Sequence, residues 1–185
     1  MAVFWRRVLS FVLLCAFTIP LSTLAVYFAR DLREREALRE LGQRSTERAG
    51  ALTPLLVEGR DRAELDRFGL TQLGQQPIVI DPGLVFVAHP KLGTRRGVLL
   101  PLEVAEALQH GAPKPLLLQD YRDPLDVTGA RWLAAFAPVG ETGYFSALQI
   151  RAPKLALGTA LSLGVALAAL LWLLSSRKSR HPLRA

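Results

Sequence analysis

A single cysteine, Cys15, serves the whole 185-residue chain, and it lies inside an apolar run, so no disulfide framework or cysteine-built metal site exists outside that run. Histidine is nearly as scarce: three in all, with no pair at metal-binding spacing. No Ser or Cys stands in the strand-turn-helix setting of a nucleophile elbow, which removes the usual signature of acyl-transfer chemistry. Charge is missing from two long stretches. Val8 to Ala29 and Leu155 to Ser176 are each 22 residues without a charged side chain. As helices, both are long enough to cross the roughly 30 Å of hydrocarbon in a bilayer.

The charge that is present is unevenly placed. The net charge is +7, yet Arg30 to Lys154 holds 17 basic and 16 acidic residues, a net of only +1. Arg6 and Arg7 at one end, and Arg177, Lys178, Arg180 and Arg184 at the other, supply the remainder. A basic surface for nucleic acid is therefore absent from the central segment, and no nucleic-acid partner is expected. Lys and Arg beside the ends of spans mark the cytoplasmic side. The expected organisation is residues 1–7 and 177–185 cytoplasmic, 8–29 and 155–176 crossing the inner (plasma) membrane of a bacterium, and 30–154 extracytoplasmic. A cleaved signal peptide would explain Arg6 and Arg7 as well. However, the first apolar run exceeds the usual h-region of about 7 to 15 residues, and the sequence "VYFARDL" lacks a small-x-small cleavage site. Leu14 is too large for the position before a lipoprotein cysteine. Only nine residues follow the second run, too few to bury a core, so a separate partner is expected to read any signal.

Between the two runs the pattern is that of a small α+β domain. From Arg30 to about Gly50 the sequence favours helix, with Leu38, Leu41, Ser45, Leu52 and Leu55 at close to 3.5-residue spacing. Two readings fit that stripe: a helix packing on its own domain, or a homodimer seam, against which Arg48 counts. Pro54 and "EGRD" at Glu58 to Asp61 are expected to end it, with a short second helix bearing Leu65, Phe68 and Leu73. Ile78 to Ile80 and Leu84 to Ala88 read as strands around a type II turn, with Gly83 at the position that requires positive φ. Pro101 to Gly111 reads as a short helix with Val104, Ala105 and Leu108 on one face. Leu116 to Tyr121, Arg131 to Val139 and Tyr144 to Ile150 complete an antiparallel sheet of five strands.

Three phrases in this order, "IVIDPGLVFVAHPKLG", "GARWLAAFAPV" and "GETGYFSALQI", resemble the bacterial Cache (PDC-type) sensor domains, extracytoplasmic relatives of the PAS fold. The resemblance covers Arg30 to Lys154. It implies a PAS-like antiparallel sheet with flanking helices, and a last strand that feeds the second span. Members of that family usually continue into a HAMP, kinase, cyclase or chemoreceptor module, which this sequence does not contain, and Tyr144 stands where Trp is commoner.

A ligand in such a fold would lie on the sheet face under the short helices, where polar groups stand out among apolar walls. Tyr121, Asp123 and Arg131 flank the turn leading to Trp132 and Phe136, and His89 ends a strand before Pro90. In that setting Arg131 would fork onto a carboxylate, Tyr121 donate a hydrogen bond and Asp123 accept an amine. The opposing reading pairs Asp123 with Arg131 at a solvated hairpin base and makes His89 a structural cap. Lys91, Arg95 and Arg96 form a basic loop, read as a solvated face. His110 is expected to meet free carbonyls at a helix end. In the second apolar run Gly158 with Ser162, Ala160 with Gly164, and Gly164 with Ala168 are small residues at i, i+4 that permit close helix approach, a pattern that alanine-rich spans also produce freely. No metal or cofactor is expected and no enzymatic role. The expected function is a membrane-anchored sensor of a small carboxylate or amine, or of a periplasmic partner, acting through a separate signalling partner or a homodimer. A periplasmic scaffold or assembly protein is the alternative.

Overall fold

The structure, a computed structural model, describes residues 2–57, 76–92, 97–110, 115–154 and 157–178. Their elements are α1 (Ala2–Val57), β1 (Gln76–Ile80), β2 (Phe86–Ala88), α2 (Leu102–Gln109), β3 (Leu116–Arg122), β4 (Arg131–Pro138), β5 (Phe145–Arg151) and α3 (Leu157–Lys178). The short helix expected around Leu65 and Phe68 falls outside the described residues, as do Arg95 and Arg96. The chain divides into two compact units, Met1–Leu32 with Lys154–Ala185, and Arg33–Pro153.

The first unit packs the opening part of α1 against α3, antiparallel. Small and hydroxylated residues make the contact. Ala160, Ala168, Thr18 and Ser22 are buried, Thr18 Oγ1 donates to the Gly164 carbonyl at 2.9 Å and Ser22 Oγ to the Ala160 carbonyl at 2.9 Å. Gly164 is required for this approach, since a Cβ there would stand 2.8 Å from the Ile19 Cα and 2.7 Å from Ser22 Oγ. The Ala160, Gly164 and Ala168 stripe therefore has a specific occupant, whereas Gly158 faces open space. Leucines and aromatics cover the outside of both helices. Among the described residues, one helix, Phe4–Val57, is long and apolar enough to cross a membrane, and the apolar part of α3, Gly158–Leu174, is shorter.

The second unit is α+β, with a five-stranded antiparallel sheet in the order β2-β1-β5-β4-β3. The last strand in sequence is central because β5 pairs with both β1 and β4. Strand alternation then sorts side chains between two layers. On one face, Val79, Leu133, Ala135, Ala137 and Leu148 meet α1 through Leu38, Leu41, Ala49 and Leu52. This accounts for the heptad-like stripe: Leu38, Leu41 and Leu52 are buried on the chain's own sheet, each worth about 1.5–3 kcal/mol in removed apolar surface, and Leu55 is partly buried beside them. Ser45 sits within the stripe because its hydroxyl donates to the Ser146 carbonyl at 2.7 Å. On the other face, Ile78, Ile80, Phe86, Tyr121, Trp132, Phe136 and Ala147 pack with Leu100 and with Val104 and Leu108 of α2.

Two local expectations change. Pro54 does not end α1, which continues to Val57. Proline removes one hydrogen bond to the residue four before it, and both Pro54 and Gly50 lie on the exposed side of the last turns, where the unpaired carbonyl is open to solvent. In the β1–β2 turn the positive φ belongs to Leu84 (61°), not Gly83. The Leu84 N–H still donates to the Asp81 carbonyl at 2.9 Å, but Leu84 is an extra left-handed residue, and the strands meet one residue later, where the Asp81 N–H donates to the Val85 carbonyl at 3.0 Å and Asp81 Oδ1 accepts the Val85 N–H at 2.9 Å. The β4–β5 turn has Gly143 at φ 76°, and a Cβ there would press on Pro82 at 3.2 Å. His110 caps α2 as expected, with both its backbone N–H and Nδ1 at the Glu106 carbonyl.

Candidate functional site

The polar residues of the second unit gather on the α2 face, at the end of the sheet where β2, β3 and β5 deliver them. His89 follows β2, and Pro90 after it favours an extended backbone. The Lys91 N–H donates to His89 Nδ1 at 3.0 Å. That bond fixes Nδ1 as acceptor, so Nε2 carries the proton and points to Asp123 Oδ2 at 3.2 Å. Both side chains are fully buried. Edge contact with Phe86, ring centroids 5.5 Å apart, holds the imidazole from the apolar side.

Asp123 opens the turn after β3. Its Oδ1 accepts the Leu125 N–H at 2.9 Å and its carbonyl accepts the Asp126 N–H at 3.0 Å, a side-chain-stabilised turn of the kind aspartate favours. Gln149, on β5 and fully buried, donates through Nε2 to Asp123 Oδ2 at 2.9 Å and to Gln76 Oε1 on β1 at 2.9 Å. Burial alone would raise the Asp123 pKa, but the hydrogen bonds from His89, Gln149 and the Leu125 N–H outweigh it and hold the carboxyl below its usual range. The buried carboxylate is thus held by converging donors, with a charge interaction with His89 adding to them.

A second carboxylate lies three residues on. Burial works against the ionised Asp126 as well, and Lys91 Nζ at 3.0 Å, Thr128 and Trp132 overcome it, so its pKa is also lowered. Trp132 Nε1 donates to Oδ2 at 2.8 Å and Thr128 Oγ1 to Oδ1 at 2.8 Å, while the Lys91 ammonium stands 5.3 Å above the Trp132 ring. Lys91 is accordingly an ion-pair partner and not part of a free basic loop.

Five of the six residues singled out in the sequence come together here. His89 and Asp123 bond directly; Tyr121 and Phe136 meet edge to face at 5.5 Å; Trp132 links to Asp126. Arg131 does not join them. Its guanidinium is bound to Glu34 of α1, whose other oxygen accepts from Gln119 Nε2 at 3.2 Å. The expected pair with Asp123 is therefore not formed. Gln149, Gln76, Asp126 and Glu34 went unnoticed in sequence. Gln149 carried one usable signal, a large polar residue at an inward-facing position of an apolar strand; Glu34, in a helix crowded with charges, carried none.

Among the described residues two buried polar atoms on this face have no hydrogen-bond partner, the Tyr121 hydroxyl and Gln149 Oε1. Burial, together with the Asp123 charge, raises the Tyr121 pKa, so the phenol stays neutral and able to donate. Buried groups of this kind cost roughly 1–3 kcal/mol each unless something meets them. Among the described residues no group of three or more His, Cys, Asp or Glu could hold a metal ion.

No protein-family model matches the chain, and no curated protein matches it. Among solved structures it is similar to a chain described as the extracellular domain of a histidine kinase, mmHK1S-Z2, with 14% identity and a TM-score of 0.37. That match covers 55% of this chain and 39% of the other, so it spans well under half of the solved domain.

Proposed function

We propose that the chain is a bacterial inner-membrane sensor. In this reading α1 and α3 both cross the membrane with their outer ends in the cytoplasm, and Arg33–Pro153 is an extracytoplasmic, PAS-like lobe of the Cache type. The lobe binds a small carboxylate or amine, or a periplasmic partner, and passes the change through the membrane helices to a separate signalling partner. The observation that carries it is the buried polar group formed by His89, Asp123 and Gln149 beside the unmet Tyr121 hydroxyl and Gln149 Oε1, all set against apolar side chains. A few convergent polar groups on an apolar wall are what orients a small polar ligand. No catalysis is part of the proposal: His89 uses Nδ1 for the Lys91 N–H and Nε2 for Asp123, which leaves neither nitrogen to move a substrate proton.

Scaffolding is the second reading, and a separate observation favours it. The sheet face beneath α2 is filled by Phe86, Leu100, Val104, Leu108 and Phe136, while Leu99 and Leu102 near the start of that helix are exposed. A thermal-shift screen of the full chain in neutral detergent, against amino acids, organic acids and amines, separates the two. A ligand at a hundred times its Kd adds about 2.7 kcal/mol to the native state. Sensing predicts a raised Tm with at least one compound, abolished by Tyr121→Phe with Gln149→Leu. No shift at millimolar concentration with any compound would end the solute-sensor reading and leave the scaffold.

A further inference from the structure

Between the opening turns of α1 and the closing turns of α3 lies a groove of about 600 Å³, lined by Phe4, Arg7, Val8, Phe11, Trp172 and Leu173 among others. Its walls are apolar, with Phe11 and Trp172 meeting edge to face at 6.1 Å, and Arg7 is its one charged lining residue. Positions 4, 7, 8 and 11 share one helical face, so Arg7 lies on the side of α1 that meets α3. Among the described residues Arg7 makes no ion pair. The sequence supplies no acidic side chain to either helix end: Met1 to Arg30 and Leu157 to Lys178 contain no Asp or Glu, while Arg6, Arg177 and Lys178 add further positive charge.

We propose that this groove is a binding site for one acidic phospholipid. Arg7 takes the headgroup phosphate through its planar fork, and an acyl chain runs along Val8, Phe11 and Leu173. The volume is of the size that holds a small amphiphilic ligand. The preference for a net-negative headgroup follows from the surroundings. Phosphatidylcholine offers the same phosphate, but its ammonium would sit beside Arg7 with no acidic side chain among the described residues of either helix end to receive it. Basic pockets between membrane helices on the cytoplasmic side recognise acidic headgroups on these terms. The site rests on the reading that α1 and α3 lie together in the membrane, and it adds to that reading a lipid requirement at the cytoplasmic end.

The test is native mass spectrometry of the full chain released from neutral detergent, titrated with phosphatidylglycerol or phosphatidylcholine of matched acyl chains. A saturable single phosphatidylglycerol adduct is expected, several-fold stronger than the phosphatidylcholine adduct. Arg7→Gln weakens it about five- to tenfold, whereas Arg6→Gln, outside the groove lining, weakens it about twofold at most. Arg7→Lys, which keeps the charge and loses the fork, falls between. Equal retention of the two lipids, or equal losses in Arg6→Gln and Arg7→Gln, would overturn the site. Carbonate extraction of the same membranes separates this from a failure of the membrane reading: a chain that stays integrated but shows no lipid preference refutes the lipid site alone, and a chain released by carbonate refutes both.

Discussion

Asp123→Asn is a nearly isosteric change, and the hydrogen bonds around it predict that it is far from neutral. In the native site Asp123 accepts three donors, His89 Nε2, Gln149 Nε2 and the Leu125 N–H. Asparagine keeps one oxygen for the Leu125 N–H but turns the other position into an NH₂ group facing two donors. His89 cannot relieve this by moving its proton, because Nδ1 already accepts the Lys91 N–H. Gln149 can relieve it by flipping, but only at the expense of its bond to Gln76. One or two buried donors are left without acceptors at roughly 1–3 kcal/mol each, for a loss of about 2–4 kcal/mol. With a typical urea dependence this lowers the unfolding midpoint by roughly 1–3 M. The readout is urea-dependent hydrogen exchange of β4 and β5 peptides in the full chain in micelles, which reports on the sheet and not on the membrane helices. A pH signature accompanies it. The folded pKa of Asp123 is lowered, so its contribution is fully present above the unfolded value of about 3.9 and is lost as pH falls through the folded one. Wild-type stability should decline below about pH 4, and the decline should be shallower in Asp123→Asn, with Asp126 retaining its own share in both. Stability within 0.5 kcal/mol of wild type (roughly the scatter of neutral surface substitutions), or an unchanged acid limb, would refute the hydrogen-bond assignment around His89.

Two further perturbations test separate parts of the structure. Glu34→Ala should destabilise the lobe by about 3–5 kcal/mol, since it strips a partly buried guanidinium of its partner, and a double-mutant cycle with Arg131→Ala should give a coupling above about 1 kcal/mol; additive losses would contradict the Glu34–Arg131 pair. In the helix pair, Gly164→Ala should lower the melting temperature read from reaction of Cys15 with a fluorogenic maleimide, while Gly158→Ala, which meets nothing within 4 Å, should leave it unchanged; equal effects would contradict the close approach at Gly164.

The strands were legible in sequence because local pattern decides them. The alternation through Trp132, Ala134 and Phe136, the apolar run Ile78 to Ile80, and the glycines flanking Glu141 and Thr142 each carry their own signal. The helical stripe from Leu38 to Leu52 was equally plain, but its partner was not: apolar spacing says that a face is buried and not what buries it, and only the fold brings Leu133 and Leu148 against it. Pro54 does not stop α1 because a proline on an exposed last turn forfeits a single backbone bond; the helix runs to Val57, directly before "EGRD", which lies outside the described residues. At the site, sequence proximity around the turn singled out Tyr121, Asp123 and Arg131, and for Arg131 proximity misled. Its true partner is 97 positions away, and the Gln149 contacts to Asp123 and Gln76 span 26 and 73 positions. Such pairings are set by sheet order, with β5 in the middle, which no local pattern encodes.

Placement of the Arg33–Pro153 lobe outside the membrane, between two crossing helices, is the claim on which the sensor reading stands. Val127 is 90% exposed at the tip of the turn after β3, and Cys15 is the chain's single cysteine, so Val127→Cys in a Cys15→Ser background gives one reporter thiol in the lobe. Labelling of that thiol in intact bacterial cells with a membrane-impermeant maleimide measures the placement directly. The account predicts full labelling before lysis, with a cysteine at Arg6 or Lys178 reacting only after lysis. Reaction at position 127 only after lysis, or of a tail cysteine in intact cells, would contradict it.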